Sequence, residues 1–165
     1  MLVSIVIRTL NEDRYLAELF KAIGDQNTDN FDVETVIIDS GSTDCTLSIA
    51  QSFNTRITYI NKEDFTFGRS LNMGSDFANG DILVYISGHC IPSCDQWLIN
   101  LVRPIIQGTA SYTYGRQLGR DTTKYAEERI FNKYFLLISK IPQTGFFCNN
   151  ANPAIARSVW SQFQF

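Results

Sequence analysis

Long apolar runs are missing from this 165-residue sequence. The longest, such as Ile82-Leu83-Val84-Tyr85-Ile86, are a fraction of the roughly 20 residues that a membrane-spanning helix needs. The opening, Met1-Leu2-Val3-Ser4, carries no basic segment ahead of its apolar residues and so does not read as a secretory leader. Basic clusters are missing as well. The net charge is -3 and the pI is near 5.1, and no run of lysine and arginine offsets this locally, which argues against a nucleic-acid partner. Cysteine is scarce: Cys45, Cys90, Cys94 and Cys148 include no CxxC pair. Cys90 and Cys94 follow the single histidine, His89, but structural zinc usually draws four ligands in paired spacings. The thiols therefore read as reduced and the chain as cytoplasmic. Two phosphate-binding signatures are also absent. No Gly-x-Gly-x-x-Gly follows the first apolar segment and no Gly-x-x-x-x-Gly-Lys-Ser/Thr occurs, which disfavours a dinucleotide-dependent oxidoreductase, a methyltransferase and a P-loop enzyme.

What is present is a sequence of 44% hydrophobic and 13% aromatic residues, enough for one packed domain spanning 1–165. Leu2 to Arg8 is a β-branched run, and Leu16, Leu19, Phe20 and Ile23 follow at the spacing of one helix face. The unit repeats. Val33 to Asp39 predicts a second strand, Gly41 to Asp44 a turn and N-cap, and Cys45 to Phe53 a helix. Ile57 to Ile60 predicts a third strand, Arg69 to Ala78 a helix, and Asp81 to Ser87 a strand buried on both faces. Trp97, Leu98, Leu101, Val102 and Ile105 form another helical stripe. This alternation predicts an α/β fold, Rossmann-like, with a mostly parallel sheet and helices on both faces. Beyond Gly108 the expectations are a strand at Ala110 to Tyr114, a helix from Thr123 to Leu137 and a helix starting near Pro153, since proline suits a first helical turn. The ending Ser161-Gln162-Phe163-Gln164-Phe165 has no cap, glycine or polar tail, which predicts that a longer chain is incomplete at this C-terminus. Val159, Trp160 and Phe163 are then expected to lack a cover, favouring self-association.

Open α/β sheets bind ligands at the carboxyl ends of their strands, so the residues just past each strand are the informative ones. They are Arg8-Thr9-Leu10-Asn11-Glu12, Asp39-Ser40-Gly41-Ser42-Thr43-Asp44 and Ser87-Gly88-His89-Cys90-Ile91-Pro92. Turn and cap chemistry alone accounts for Asn11, Ser42, Thr43 and Asp44. It accounts less well for Asp39 and His89. Without a glycine cradle, a nucleotide would be held by carboxylate and amide groups, its diphosphate met by a divalent cation and arginines.

Ser4 to Glu12, followed by Val36 to Asp44, resembles the opening of a family 2 glycosyltransferase with the A-type fold, in which Asp-(Asp/Ser)-Gly-Ser-x-Asp follows the second strand. Phe67-Gly68-Arg69-Ser70-Leu71-Asn72-Met73-Gly74 resembles the family's third nucleotide-contacting segment. Gly115-Arg116-Gln117, with Ser87 to Pro92, is similar to a rhamnosyltransferase-like subgroup. The resemblance runs from Val3 to Trp160. It implies nucleotide contacts at Thr9, Asn11, Glu12, Asp39, Ser40, Arg69, Asn72, Ser87 and Gly88, with Asp39 accepting from the base and Arg69 near the diphosphate or base. It implies sugar or acceptor contacts at Arg116, Gln117, Asn149, Asn150 and Asn152.

The family's metal-binding Asp-x-Asp falls on Ser87-Gly88-His89, so both acids are missing. His89 is the candidate metal ligand in place of the second acid, or else a direct donor to the diphosphate, and as a ligand imidazole suits Mn²⁺ or Zn²⁺ better than Mg²⁺. The family's general base follows the segment matched here by Phe147 to Ala154 and Val159-Trp160, and is expected beyond Phe165. The later acids Asp121, Glu127 and Glu128 do not replace it. The implied activity is inverting transfer of a sugar from a nucleotide-diphosphate donor to a saccharide or lipid-linked acceptor, with peripheral membrane association and a homo-oligomer both compatible. The alternative is a catalytically inactive nucleotide-binding domain.

Overall fold

The computed structural model describes residues 1–28, 31–120, 122–135, 137–144, 147–149 and 151–165. Among the described residues the chain alternates strand and helix through β1 (Leu2–Thr9), α1 (Asp13–Gly24), β2 (Asp32–Asp39), α2 (Thr46–Ser52) and β3 (Arg56–Tyr59). A 3-10 turn at Lys62–Asp64 leads to α3 (Phe67–Phe77), β4 (Ile82–Ser87), α4 (Trp97–Ile106), β5 (Tyr112–Tyr114), α5 (Tyr125–Tyr134), β6 (Pro153–Ala156) and α6 (Arg157–Trp160). The strands form one sheet in the order β3-β2-β1-β4-β6-β5. β1 is parallel to β2 and β4, β2 is parallel to β3, and β6 runs antiparallel to both β4 and β5. The expected mostly parallel sheet is present, with β6 as its one reversed strand.

The period-2 alternation of the strands sorts their side chains onto two layers. Val3, Ile5 and Ile7 of β1 pack with Leu16, Leu19, Phe20 and Ile23 of α1 and Leu98 and Val102 of α4. Val6 faces the other way, against Leu71 of α3, Tyr85 of β4 and Trp160 of α6. Burial of such side chains, at about 25 cal/mol per Å² of apolar surface, is what drives the helices onto the sheet.

Three expectations are corrected. Pro153 begins a strand, not a helix, because proline is equally at home as a strand's first residue, and Ala154 and Ile155 alternate between the two cores. α5 is shorter than Thr123 to Leu137 and buries none of its residues; its start is fixed by a capping box in which the Lys124 amide donates to Glu127 Oε2 at 3.3 Å. Trp160 is not left uncovered: it is 4% exposed and its indole donates to Asn72 Oδ1 at 3.1 Å, while Phe163 remains exposed.

Candidate functional site

The chain leaves β3 on one side of β1 and returns as β4 on the other, so the order of connection reverses between β1 and β4. A crevice outside the carboxyl ends of the strands at such a reversal is where open α/β sheets take ligands. The register places Thr9 opposite Asp39 and Arg8 opposite Ser87 at this edge.

Asp39 is fully buried and organises the turn after β2. Its Oδ1 accepts from the Gly41 and Ser42 amides at 2.9 and 2.8 Å. Its Oδ2 accepts from the Thr9 and Ser42 hydroxyls at 2.9 and 2.5 Å. A carboxylate offers about four lone-pair positions, and all are filled from within the chain. The expected acceptance from a base is therefore corrected: a ligand donor reaches Oδ2 only by displacing a hydroxyl. Gly41 makes the turn feasible, since its φ of 101° lies where a side chain is strained. Ser40 is likewise turned inward, its amide and hydroxyl both donating to the Thr9 carbonyl. Asn11, at φ 55°, closes the turn from the other side: its amide donates to Ser42 Oγ and its Oδ1 accepts from the Thr43 amide.

Glu12 and His89 meet above this turn. His89 Nδ1 lies 2.7 Å from Glu12 Oε1, and the Glu12 amide donates to Thr46 Oγ1 at 2.7 Å. A hydrogen bond with Cys90 and the one with Glu12 push the imidazole's pKa up to about 9 against the opposing effect of burial. The ring is therefore an imidazolium at neutral pH. Gly88 permits their approach: a Cβ there would stand 2.9 Å from Glu12 Cγ and 3.2 Å from Thr9 Cγ2. Arg120 reaches over the same edge, donating to the His89 carbonyl at 3.0 Å and stacking on Tyr15.

On the α3 side of the edge, Arg8 projects beside Ser87, with one guanidinium nitrogen donating to Ser87 Oγ at 3.3 Å. Its carbon lies 5.0 Å from the ring centre of Phe67, the first residue of α3. The Nε and Nη1 atoms are buried without a hydrogen-bond partner, and burial pushes the guanidinium's pKa down. Sequence reasoning passed over Arg8 in favour of Arg69. Arg69 instead donates to the Asp64 carbonyl and pairs with its carboxylate at 3.4 Å. A lone cation near the end of a largely apolar strand was the available signal.

The remaining candidates are dispersed. Asn72 is occupied by the indole of Trp160 and by the backbone of Phe165. Asn152 accepts from Trp97 Nε1 at 2.7 Å, and Asn149 Oδ1 accepts from the Ala151 amide. Arg116 donates through Nε to the Phe135 carbonyl, and Gln117 is half-buried. Arg116 and Asn152 line a cavity of about 660 Å³ bordered also by Trp97, Leu101, Tyr112 and Tyr134. Asn150 lies outside the described residues.

The divalent cation implied by the resemblance finds no matching donor set. Among the described residues no group of three or more His, Cys, Asp or Glu is placed to hold a metal ion. Ser87 faces a guanidinium, Asp39 is saturated, and His89, its Nδ1 bonded to Glu12, has no set of three ligand side chains around it among the described residues. Among the same residues no helix is long and apolar enough to cross a membrane.

The family model for "Glycosyl transferase family 2" matches residues 4–162. The chain is similar to the glycosyltransferase AglE of Haloferax volcanii, 28% identical over 123 residues covering 68% of this chain and 40% of that protein. It is also similar to the dolichyl N-acetyl-alpha-D-glucosaminyl phosphate 3-beta-D-2,3-diacetamido-2,3-dideoxy-beta-D-glucuronosyltransferase of Methanococcus voltae, at 28% over 98 residues, 56% of this chain and 30% of that one. The chain thus spans less than half the length of these curated relatives. Among solved structures, the mannosyltransferase PcManGT of Pyrobaculum calidifontis in complex with GDP-Man and Mn²⁺ superposes with a TM-score of 0.73 at 19% identity, over 99% of this chain and 47% of that one.

Proposed function

The chain belongs to glycosyl transferase family 2, and from that premise we propose that it binds a nucleotide-diphosphate sugar at the carboxyl edge of the sheet between β1 and β4. The protein that contains it then transfers the sugar, with inversion, to a saccharide or lipid-linked acceptor. The observation that carries this reading is the shelf built by Thr9, Asn11, Asp39, Ser40 and Ser42 at the point where the strand order reverses. These internal hydrogen bonds hold the shelf in one shape, and so pre-organise the surface on which the base and ribose would rest. Pre-organisation lowers the ordering cost of binding.

The Glu12–His89 pair closes one side of the shelf. An imidazolium held by a carboxylate offers a donor to anionic or hydroxyl groups without moving a net charge into the site. Fixed donors placed where negative charge develops on the departing diphosphate are the kind of stabilisation glycosyl transfer requires. The acceptor class is supported by the dolichyl-linked substrate in the name of the Methanococcus voltae relative. The cavity lined by Arg116 and Asn152 is our candidate for its sugar.

The alternative of a nucleotide-binding domain without transfer is favoured by one observation, the absence of the Asp-x-Asp acids at Ser87-Gly88-His89. Titration calorimetry with UDP, GDP and dTDP tests binding, and release of nucleoside diphosphate from the matching sugar donors tests turnover. Binding with turnover supports the transferase, failure to bind any of the three overturns both readings, and binding without turnover is the outcome expected both of the alternative and of a transferase whose general base lies beyond Phe165.

A further inference from the structure

We propose that Arg8 is the chain's own anion subsite, its guanidinium taking the donor's diphosphate in the position where the family's Asp-x-Asp would call for a divalent cation. The proposal rests on the donor-binding reading above and deepens it.

Arg8 is the next-to-last residue of β1 at the strand-order reversal, directly opposite Ser87 in the β1–β4 register. A guanidinium carries five N–H donors in a rigid fork suited to phosphate oxygens. Here one nitrogen donates to Ser87 Oγ at 3.3 Å, while Nε and Nη1 are buried and unpartnered. Buried polar groups are nearly always hydrogen-bonded, and those that are not call for a reason. Among the described residues no carboxylate is paired with Arg8; the ion pairs there are Arg56–Glu34, Arg69–Asp64 and His89–Glu12. The side chain is held in place by its stacking on Phe67, at the N-terminal end of α3. That helix end adds positive potential at the same point.

The chemistry of the edge is thus inverted relative to a metal site. Where two acids would gather a cation and the cation would meet phosphate, this chain has a serine, a glycine and a histidine beside a fixed cation. A guanidinium in direct contact with the diphosphate performs the charge neutralisation without an intermediary ion, and a divalent cation placed against it would be repelled.

The test uses titration calorimetry with UDP, GDP and dTDP, each beside its nucleoside, in EDTA and in Mn²⁺, for the native chain, Arg8→Met and Arg8→Lys. In EDTA the native chain should bind its preferred nucleoside diphosphate well above the nucleoside. Arg8→Met should erase that difference, weakening the diphosphate about ten- to a hundredfold, as expected for one or two charge-assisted hydrogen bonds, and leave nucleoside affinity unchanged. Arg8→Lys, which keeps the charge but not the fork, should fall between and serves if Arg8→Met does not fold. Diphosphate binding that appears only with Mn²⁺, or that is indifferent to both variants, overturns the subsite while leaving the donor-binding reading standing. No binding of any nucleoside diphosphate in either medium overturns the reading and the subsite together.

Discussion

Replacement of Asp39 separates the geometry of its turn from its charge. Asparagine at this position can keep its carbonyl where Oδ1 stands, accepting from the Gly41 and Ser42 amides. Its amide group would then occupy the place of Oδ2, facing the Thr9 and Ser42 hydroxyls. A hydroxyl both donates and accepts, so these two partners can reverse roles. Alanine leaves all four donors without their acceptor. Thr9 is 3% exposed and cannot turn to water, whereas the Gly41 and Ser42 amides lie at the surface and can. Hydrogen bonds to a charged acceptor contribute about 1.5–3 kcal/mol each, but partners in one network do not add. We therefore expect Asp39→Ala to destabilise the fold by about 2–4 kcal/mol and Asp39→Asn by less than about 1.5 kcal/mol. For a chain of this size that corresponds to melting-temperature losses of roughly 4–16 °C for alanine and under about 6 °C for asparagine. Urea unfolding followed by circular dichroism measures both, with an unchanged slope as the control for the denatured state. Equal losses for the two variants would refute the reversal of hydroxyl roles. A loss below about 0.5 kcal/mol for alanine would refute the whole account of the turn. Only Asp39→Asn then tests binding cleanly, because alanine disturbs the shelf itself.

Other outcomes follow from the same edge of the sheet. The sequence has a single histidine, so its ring proton resonance reports His89 alone. It should titrate with a midpoint near 9, above the ordinary 6.5. Because the folded value is the raised one, the stabilisation it brings is fully present below about pH 6.5 and is lost as the pH rises through about 9. A midpoint below 7 would refute the pairing. Gly88→Ala, whose added carbon would stand 2.9 Å from Glu12 Cγ, should push Glu12 away and lower that midpoint.

The parallel core of the sheet was legible because β1 and β4 are apolar runs buried on both faces and α1 and α4 carry apolar residues at the spacing of one helix face. β6 was not, since four residues beginning with proline satisfy a first helical turn and a first strand residue equally well, and periodicity cannot separate the two over so short a run. Only its pairing with β4 and β5, distant in sequence, decides. At the site, the loops were legible but the roles within them were not. Asp39 stands where a ligand acceptor was expected, yet its capacity is consumed by neighbours two and three residues away and by Thr9 across the sheet. Arg69 and Arg8 look alike as letters. Arg69 has Asp64 five residues before it and a helix surface to lie on, whereas Arg8 has its donors enclosed between Ser87 and Phe67.

A buried guanidinium with unpaired donors should also weigh on the stability of the free chain, and this gives a reading of Arg8 that needs no ligand. Unsatisfied buried polar groups cost about 1–3 kcal/mol, and replacing buried ionic groups with apolar ones of similar volume is often neutral or stabilising. Methionine preserves much of the stem's packing. Against the relief stand the loss of the long hydrogen bond to Ser87 and of the stacking on Phe67, worth about 0.5–1 kcal/mol where the ring is exposed. The balance favours Arg8→Met by about 1 kcal/mol, a rise of roughly 2–4 °C in melting temperature. Sites that hold ligands commonly carry such a deficit. If the donors are truly orphaned, adding the preferred nucleoside diphosphate should raise the melting temperature of the native chain and leave Arg8→Met nearly unmoved. A variant that melts well below the native chain would mean that the guanidinium is already satisfied within the fold, and its assignment to an anion would lose its basis.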